Sequence, residues 1–203
     1  MIRSIIFDVG AVLVDFRYHD YMLDLGFDDD TVKTIEDKLI HNDALWGQLD
    51  LGAEPEEVTI ERMLTEVPGY EDKVRYFFEK NVDIVKTFDY TVPWLTELRS
   101  RGYKIYLLSN YPKKWWTLHE RERFGFTHLT DGMIVSGFVK MVKPHDEIYK
   151  CLLDTYSLDP SECLFFDDRK ANVEAAVRNG FNAHIFTSYK EADEYIRKSE
   201  QQK

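Results

Sequence analysis

A basic surface is missing from this chain. Lys and Arg number 26 against 37 Asp and Glu, a formal charge of −11. A protein of that sign repels nucleic acid and anionic lipid, so neither is expected as a partner. It also repels anionic substrates, and a phosphate site would need help from a cation or from backbone N–H groups. Long hydrophobic runs are missing too, so no membrane span is expected. The run before Asp8, Ile5-Ile6-Phe7, is too short for a secretory signal. Cysteine is scarce. Cys151 and Cys163 lack metal-ligand spacing, and a reduced, cytoplasmic protein is expected. The six histidines show no ligand spacing either, and His41, His119 and His145 read as surface residues. No internal repeat and no low-complexity segment is found. What remains, 44% hydrophobic and 31% charged in 203 residues, suits one α/β domain with a modest insert.

Four apolar runs read as buried parallel strands: Ile2 to Phe7, Tyr103 to Leu108, Cys163 to Phe166 and Ala183 to Phe186. A weaker strand is placed at Gly132 to Val135. Helical patterns separate them at Val92 to Arg101, Asp146 to Tyr156 and Asn172 to Asn179, with Gly102 and Gly180 as stops. Strand and helix in alternation imply a doubly wound parallel sheet. The region from Phe16 to Lys86 offers no strand. Its helical stretches, Thr31 to Ile40, Pro55 to Thr65 and Asp72 to Val85, read as an insert after the first strand. Asp28-Asp29-Asp30 reads as the cap of the helix that follows. Lys198 to Lys203 is expected to fray.

Three of the strands end in polar residues: Asp8 after the first, Ser109-Asn110 after the second and Asp167-Asp168 after the third. In a parallel sheet these points share the carboxyl edge, where such folds bind ligands. Carboxylates brought together need a counter-cation, and an all-oxygen set suits Mg²⁺. Such an ion would also attract a phosphate. Lys143-Pro144, ahead of the helix at Asp146, offers a loop lysine to neutralise a phosphate oxygen.

The order of these motifs resembles the haloacid dehalogenase superfamily. Asp8-Val9-Gly10 with Ala11-Val12-Leu13, then Leu108-Ser109-Asn110, then Lys143-Pro144, then Asp167-Asp168 with Asn172 match its four motifs across nearly the whole chain. Phe7 to Asp15 and Phe165 to Ala176 look most like the small-cap, glucose-1-phosphate-phosphatase-like branch. The resemblance implies a Rossmann-like core, residues 1–15 and 87–203, with a small helical cap, residues 16–86. It implies a phosphatase acting on a small phosphorylated metabolite, a sugar phosphate among the candidates. Asp8 would be the nucleophile. Asp8, the Gly10 carbonyl and Asp168 would bind Mg²⁺, with Asp167 direct or through water. Ser109 and Lys143 would hold phosphoryl oxygens with Asn110 beside them, and Asn172 would steady a metal-bound water.

One position departs from the family. Its phosphatases commonly carry a second Asp two residues after the nucleophile, as general acid and base, and here that residue is Gly10. Relatives often have Asn at the next position, which here is Ala11. The leaving group would then need help from water or from a cap residue, and a steep dependence of rate on leaving-group pKa is expected. Two other readings stand beside the phosphatase. One is a metal-free haloacid dehalogenase, which the paired Asp167 and Asp168 disfavour. The other is a weakened regulatory protein, which the retention of Asp8, Lys143 and both aspartates disfavours. Trp46 and Asp50, in a stretch resembling a cap turn, are candidates to face the site. Tyr111, Trp115 and Trp116 offer an aromatic wall, but packing of a helix on the sheet is the preferred reading of the tryptophans. Lys113 and Lys114 read as solvated. The pattern specifies no oligomeric state.

Overall fold

The central strands are largely apolar because both faces of their sheet are covered, whereas the edge strand Asn182–Ile185 is exposed at both ends. The structure, a computed structural model, describes residues 1–201. In chain order, β1 (Ser4–Phe7) and β2 (Val14–Phe16) lead into α1 (Tyr18–Asp24), α2 (Asp29–Ile35), α3 (Asp43–Leu51), α4 (Glu56–Leu64) and α5 (Glu71–Glu79). Then come β3 (Val85–Thr87), α6 (Thr91–Ser100), β4 (Lys104–Ser109), α7 (Lys113–Glu122), β5 (Gly132–Val135) and the short α8 (Ser136–Val139). The chain ends with α9 (Asp146–Tyr156), β6 (Cys163–Asp167), α10 (Lys170–Arg178), β7 (Asn182–Ile185) and α11 (Tyr189–Gln201).

Five strands form the parallel sheet in the order β5-β4-β1-β6-β7. Side chains alternate between its faces. Ile5, Phe7, Ile105, Leu107, Leu164 and Phe166 enter one core, while Ile6, Tyr106, Leu108 and Phe165 enter the other. The doubly wound sheet expected from the sequence is therefore present, including β5. Phe7 pairs with Leu107 on one side and Phe166 on the other, so Asp8, just past β1, lies level with Leu108 near the end of β4 and with Asp167 at the end of β6. The central strand thus lies between the two that supply the other polar ends, at the switch point of the topology.

The helical insert forms a cap, and its core is continuous with one face of the sheet. Met22, Val32, Met63, Val74 and Phe77 share a cluster with Trp115, Leu107 and Phe166. Asp28 caps α2 as expected, its carboxylate accepting from the Thr31 N–H at 2.9 Å.

Several expectations change. Strands do occur at the edges of the insert: β2 and β3 pair antiparallel, with Val14 opposite Thr87 and Phe16 opposite Val85. Three residues per strand carry no readable period, and the partners lie about seventy positions apart in sequence. The supposed cap turn around Trp46 is helix α3, ended by Gly52 in the left-handed region at φ 61°. The helix expected from Asp72 to Val85 ends at Glu79, a 3₁₀ turn covering Asn81–Ile84. Residues 198–201 are helical, so the expected fraying does not hold there, and 202–203 lie outside the described residues. Among the described residues no helix is long and apolar enough to cross a membrane.

Candidate active site

Asp8 follows β1 directly, and its backbone N–H donates to the Phe166 carbonyl at 2.9 Å. That bond ties the residue after one strand to the end of its neighbour. Its two oxygens are not equivalent. Val9 N–H, at 2.7 Å, and Lys143 Nζ, at 2.9 Å, both approach Oδ1. Asp167 ends β6, is fully buried, and accepts from Lys143 Nζ at 2.6 Å. Asn172 Nδ2 reaches both oxygens of Asp167 at 2.9 and 3.0 Å, and Arg169 N–H adds a third donor at 2.8 Å. Lys143 therefore bridges the nucleophile candidate and the motif-four carboxylate.

The charges in this cluster oppose one another. Burial raises the Asp8 carboxyl to about 7; Lys143 works against that, while Asp167 and Asp168 add to it. Burial also disfavours the Lys143 ammonium, but Asp167 and Asp8 together hold it above its ordinary range. Asp168 is raised by burial and by Asp167. One carboxylate oxygen each from Asp8, Asp167 and Asp168 lies within 4.8 Å of the others. These are hard oxygen donors, and Asp168 is exposed, so the set fits a small divalent cation.

A cavity of about 350 Å³ opens above the cluster. Asp8, Gly10, Asn110, Lys143, Asp168 and Asn172 line it, as the motifs lead one to expect. Ser109 does not. β4 runs one residue further than its apolar pattern, so Ser109 is the last strand residue, opposite Val135 and buried. Asn110 lines the cavity, but its amide is committed to the backbone of Lys143. Oδ1 accepts the Lys143 N–H at 2.8 Å, and Nδ2 donates to the Lys143 carbonyl at 3.0 Å. Asn172, expected beside a metal-bound water, instead reaches Asp167.

The cap closes the far side with Phe16, Tyr18, Trp46 and Asp50, facing Tyr111 and Trp115 of the core. Trp46 meets Tyr18 and Trp115 edge-on at 5.6 and 5.7 Å between ring centroids. Trp115 and Trp116 are buried in packing, as expected, though Trp115 also touches the cavity. Phe16, Tyr18 and Arg169 were not singled out by the sequence. Arg169 carried the only available signal, its place beside Asp168, and it forms an ion pair with Asp43 of the cap at 2.8 Å. Lys114 pairs with Glu57 of the cap, away from this cavity. His119 corrects another reading. It is fully buried, its ring between the Tyr111 hydroxyl at 2.6 Å and the Asn81 carbonyl at 2.9 Å.

Known proteins share this architecture. The chain is 26% identical over 182 residues to the sesquiterpene phosphatase astK of Aspergillus oryzae, covering 88% of this chain and 86% of that one. A HAD family enzyme of Bacteroides thetaiotaomicron, crystallised with magnesium and inorganic phosphate, superposes with a TM-score of 0.72 at 22% identity, covering 93% of this chain and 96% of that one. The L-2-haloacid dehalogenase of Xanthobacter autotrophicus, with chloropropionic acid covalently bound, gives 0.66 at 18%, covering 90% and 76%. At these identities the structural likeness is one of fold, and the fold hosts both chemistries. The family model for haloacid dehalogenase-like hydrolases matches residues 2–180, and the chain belongs to that family.

Proposed function

We propose that this hydrolase is a Mg²⁺-dependent phosphatase of small phosphate monoesters. The observation that carries the reading is the cluster of Asp8, Asp167 and Asp168 with Lys143 beneath one cavity. A metal-free dehalogenase gains nothing from the paired motif-four carboxylates, whose repulsion it would have to offset. The phosphatase of Aspergillus and the magnesium- and phosphate-bound Bacteroides enzyme support the same choice.

Asp8 and Asp168 would hold the ion, with the Gly10 carbonyl beside them. Asp167, already engaged by Lys143, Asn172 and Arg169, would stand behind. When bound, the ion keeps the Asp8 carboxylate charged and draws in the phosphoryl group. Asp8 then attacks phosphorus, forms a P–O bond and releases the alcohol, leaving an aspartyl-phosphate for water to hydrolyse. Lys143, its ammonium favoured by two aspartates, neutralises a phosphoryl oxygen. Asn110 sets that lysine's position by clamping its backbone.

Residues 16–86 act as the cap that sets substrate choice, over a catalytic unit of 1–15 and 87–203. The aromatic rings around the cavity suit the apolar face of a sugar, which makes sugar phosphates the preferred class.

Phosphate release from a panel of phosphorylated metabolites, with and without Mg²⁺, tests the reading. Asp8→Asn should abolish turnover in a protein of unchanged circular dichroism, since the amide is a poor nucleophile of nearly equal size. Asp168→Ala should weaken Mg²⁺ binding at least about tenfold by calorimetry, the scale on which perturbing a metal site acts. Metal-independent halide release from a 2-haloacid would make the protein a dehalogenase instead.

A further inference from the structure

The proposed reaction lacks an acid for the leaving group, and the structure shows why the usual position does not supply one. A Cβ built on Gly10 would lie 2.9 Å from Cε2 and 3.2 Å from Cδ2 of Phe16. That ring is wedged between Tyr18, stacked at 5.2 Å, and Tyr111, tilted at 5.4 Å. The place of a side chain at position 10 is thus taken by a cap-edge aromatic.

The cap side of the cavity also carries a carboxylate. Asp43, Trp46 and Asp50 follow one another at helical spacing on α3, and all three line the cavity that Asp8 lines. The last turn of α3 is pinned to the core. The Asp50 carbonyl accepts from Ser136 Oγ at 2.5 Å, and the same Oγ accepts the Tyr111 N–H at 2.8 Å. Just beyond, a Cβ on Gly52 would lie 3.1 Å from the Gly137 carbonyl oxygen, so the two backbones approach closely. Asp50 is therefore a cap residue whose position the core dictates.

We propose that Asp50 is the general acid and base of the reaction, in place of the carboxylate missing at position 10. The inference rests on the phosphatase reading. In the first step Asp8 bonds to phosphorus, the P–O bond to the alcohol breaks, and the Asp50 proton passes to the leaving oxygen. In the second, the Asp50 carboxylate takes a proton from water as that water attacks the aspartyl-phosphate. Inorganic phosphate leaves, and Asp8 and Asp50 return to their starting states. Burial and the charges facing Asp50 favour its protonated form. Burial and then Asp8 raise its carboxyl to about 7; Lys143 and Arg169 oppose the shift and Asp43 adds to it. Tyr18, on the same wall, is held protonated by burial and by Asp50.

The test is kcat/KM over a series of aryl and alkyl phosphates in saturating Mg²⁺, for wild type, Asp50→Asn and Asp50→Glu. An acid is worth about 10²–10⁴-fold for a poor leaving group. Asp50→Asn should lose that factor on alkyl phosphates and less than about tenfold on 4-nitrophenyl phosphate, whose leaving group needs no proton. The dependence on leaving-group pKa should be shallow in wild type, unlike the steep one expected for a site without an acid, and steep in Asp50→Asn. For alkyl esters the alkaline fall of the pH profile, where Asp50 loses its proton, should vanish in Asp50→Asn and persist in Asp50→Glu. Equal losses on aryl and alkyl esters would reduce Asp50 to a binding group and overturn the proposal, leaving the phosphatase intact. A wild type that cleaves no phosphate ester would overturn both.

Discussion

Ala11 occupies the left-handed region at φ 57°, next to the candidate catalytic loop. Its N–H donates to the Val14 carbonyl at 2.8 Å, closing the turn that carries the chain from Asp8 towards β2. A non-glycine residue pays roughly 1–2 kcal/mol there, and Asn, whose short polar side chain bonds locally, pays less. Asn, the residue that the family resemblance leads one to expect at this position, would relieve that strain. Ala11→Asn should therefore stabilise the fold by up to about 1 kcal/mol in urea denaturation, and Ala11→Val, β-branched, should destabilise it by a similar amount. Equal midpoints for all three proteins would remove strain from the account of this turn.

At the scale of elements, α3 joins cap to core. Its C-terminal turn is fixed on α8, its Asp43 meets Arg169 of the motif-four loop, and its Trp46 stands among Tyr18, Phe78 and Trp115. A ring in that setting shapes the cavity without touching the carboxylate cluster. Trp46→Ala should change relative kcat/KM among phosphate esters by about tenfold or more, the scale of one apolar contact in a pocket, while Mg²⁺ affinity stays within a factor of two, about the scatter of such measurements. An unchanged substrate ranking would show that the cap does not select. The short pair β2 and β3 marks where this cap leaves and rejoins the core. Neither strand was legible in the sequence, because each is stable only through a partner across the whole insert. α9 and β6, by contrast, were legible almost to the residue, since each has enough length to display its period.

Across the whole molecule, His119 couples cap and core. It sits on α7, accepts from or donates to the Tyr111 hydroxyl, and donates from Nε2 to the carbonyl of Asn81, just beyond the last cap helix. The Asn81 carbonyl can only accept, so Nε2 carries the proton and Nδ1 accepts from Tyr111. Burial, helped by Arg123 and opposed by the Asn81 contact, lowers the imidazole from 6.5 to about 4. Above pH 6.5 the ring is neutral in both folded and unfolded chains and stability is unaffected. Between 6.5 and about 4 the unfolded chain takes up a proton that the folded one refuses, so stability falls as pH falls. The loss reaches about 3 kcal/mol at most. Denaturation at pH 7.5 and 5 should show it in wild type and a smaller drop in His119→Gln. An identical drop in the two proteins would assign acid sensitivity elsewhere.

What the sequence by itself determined is the sheet and the identity of most groups at its edge. Buried parallel strands must be apolar along their length, and a polar residue at each end then reveals where they stop. That logic located Asp8, Asp167 and Asp168 and implied a common edge before any coordinates, while the Lys143-Pro144 pair ahead of a helix pointed to the lysine loop. Composition likewise fixed the net charge at −11. Tertiary structure alone decided which of those groups face the cavity. Ser109 turned out to be buried because β4 extends one residue past its apolar pattern, and Asn110 and Asn172 orient Lys143 and Asp167, because a buried lysine and a buried carboxylate need partners for every polar atom. It alone decided that Phe16 fills the space beside Gly10 and that Asp50 lines the cavity that Asp8 lines. Phe16 lies six positions past Gly10, on β2, and Asp50 about forty positions past the motif, on α3. Their proximity comes from the packing of the cap on the core, and no local pattern in a chain encodes the distance between two surfaces that meet only when it folds.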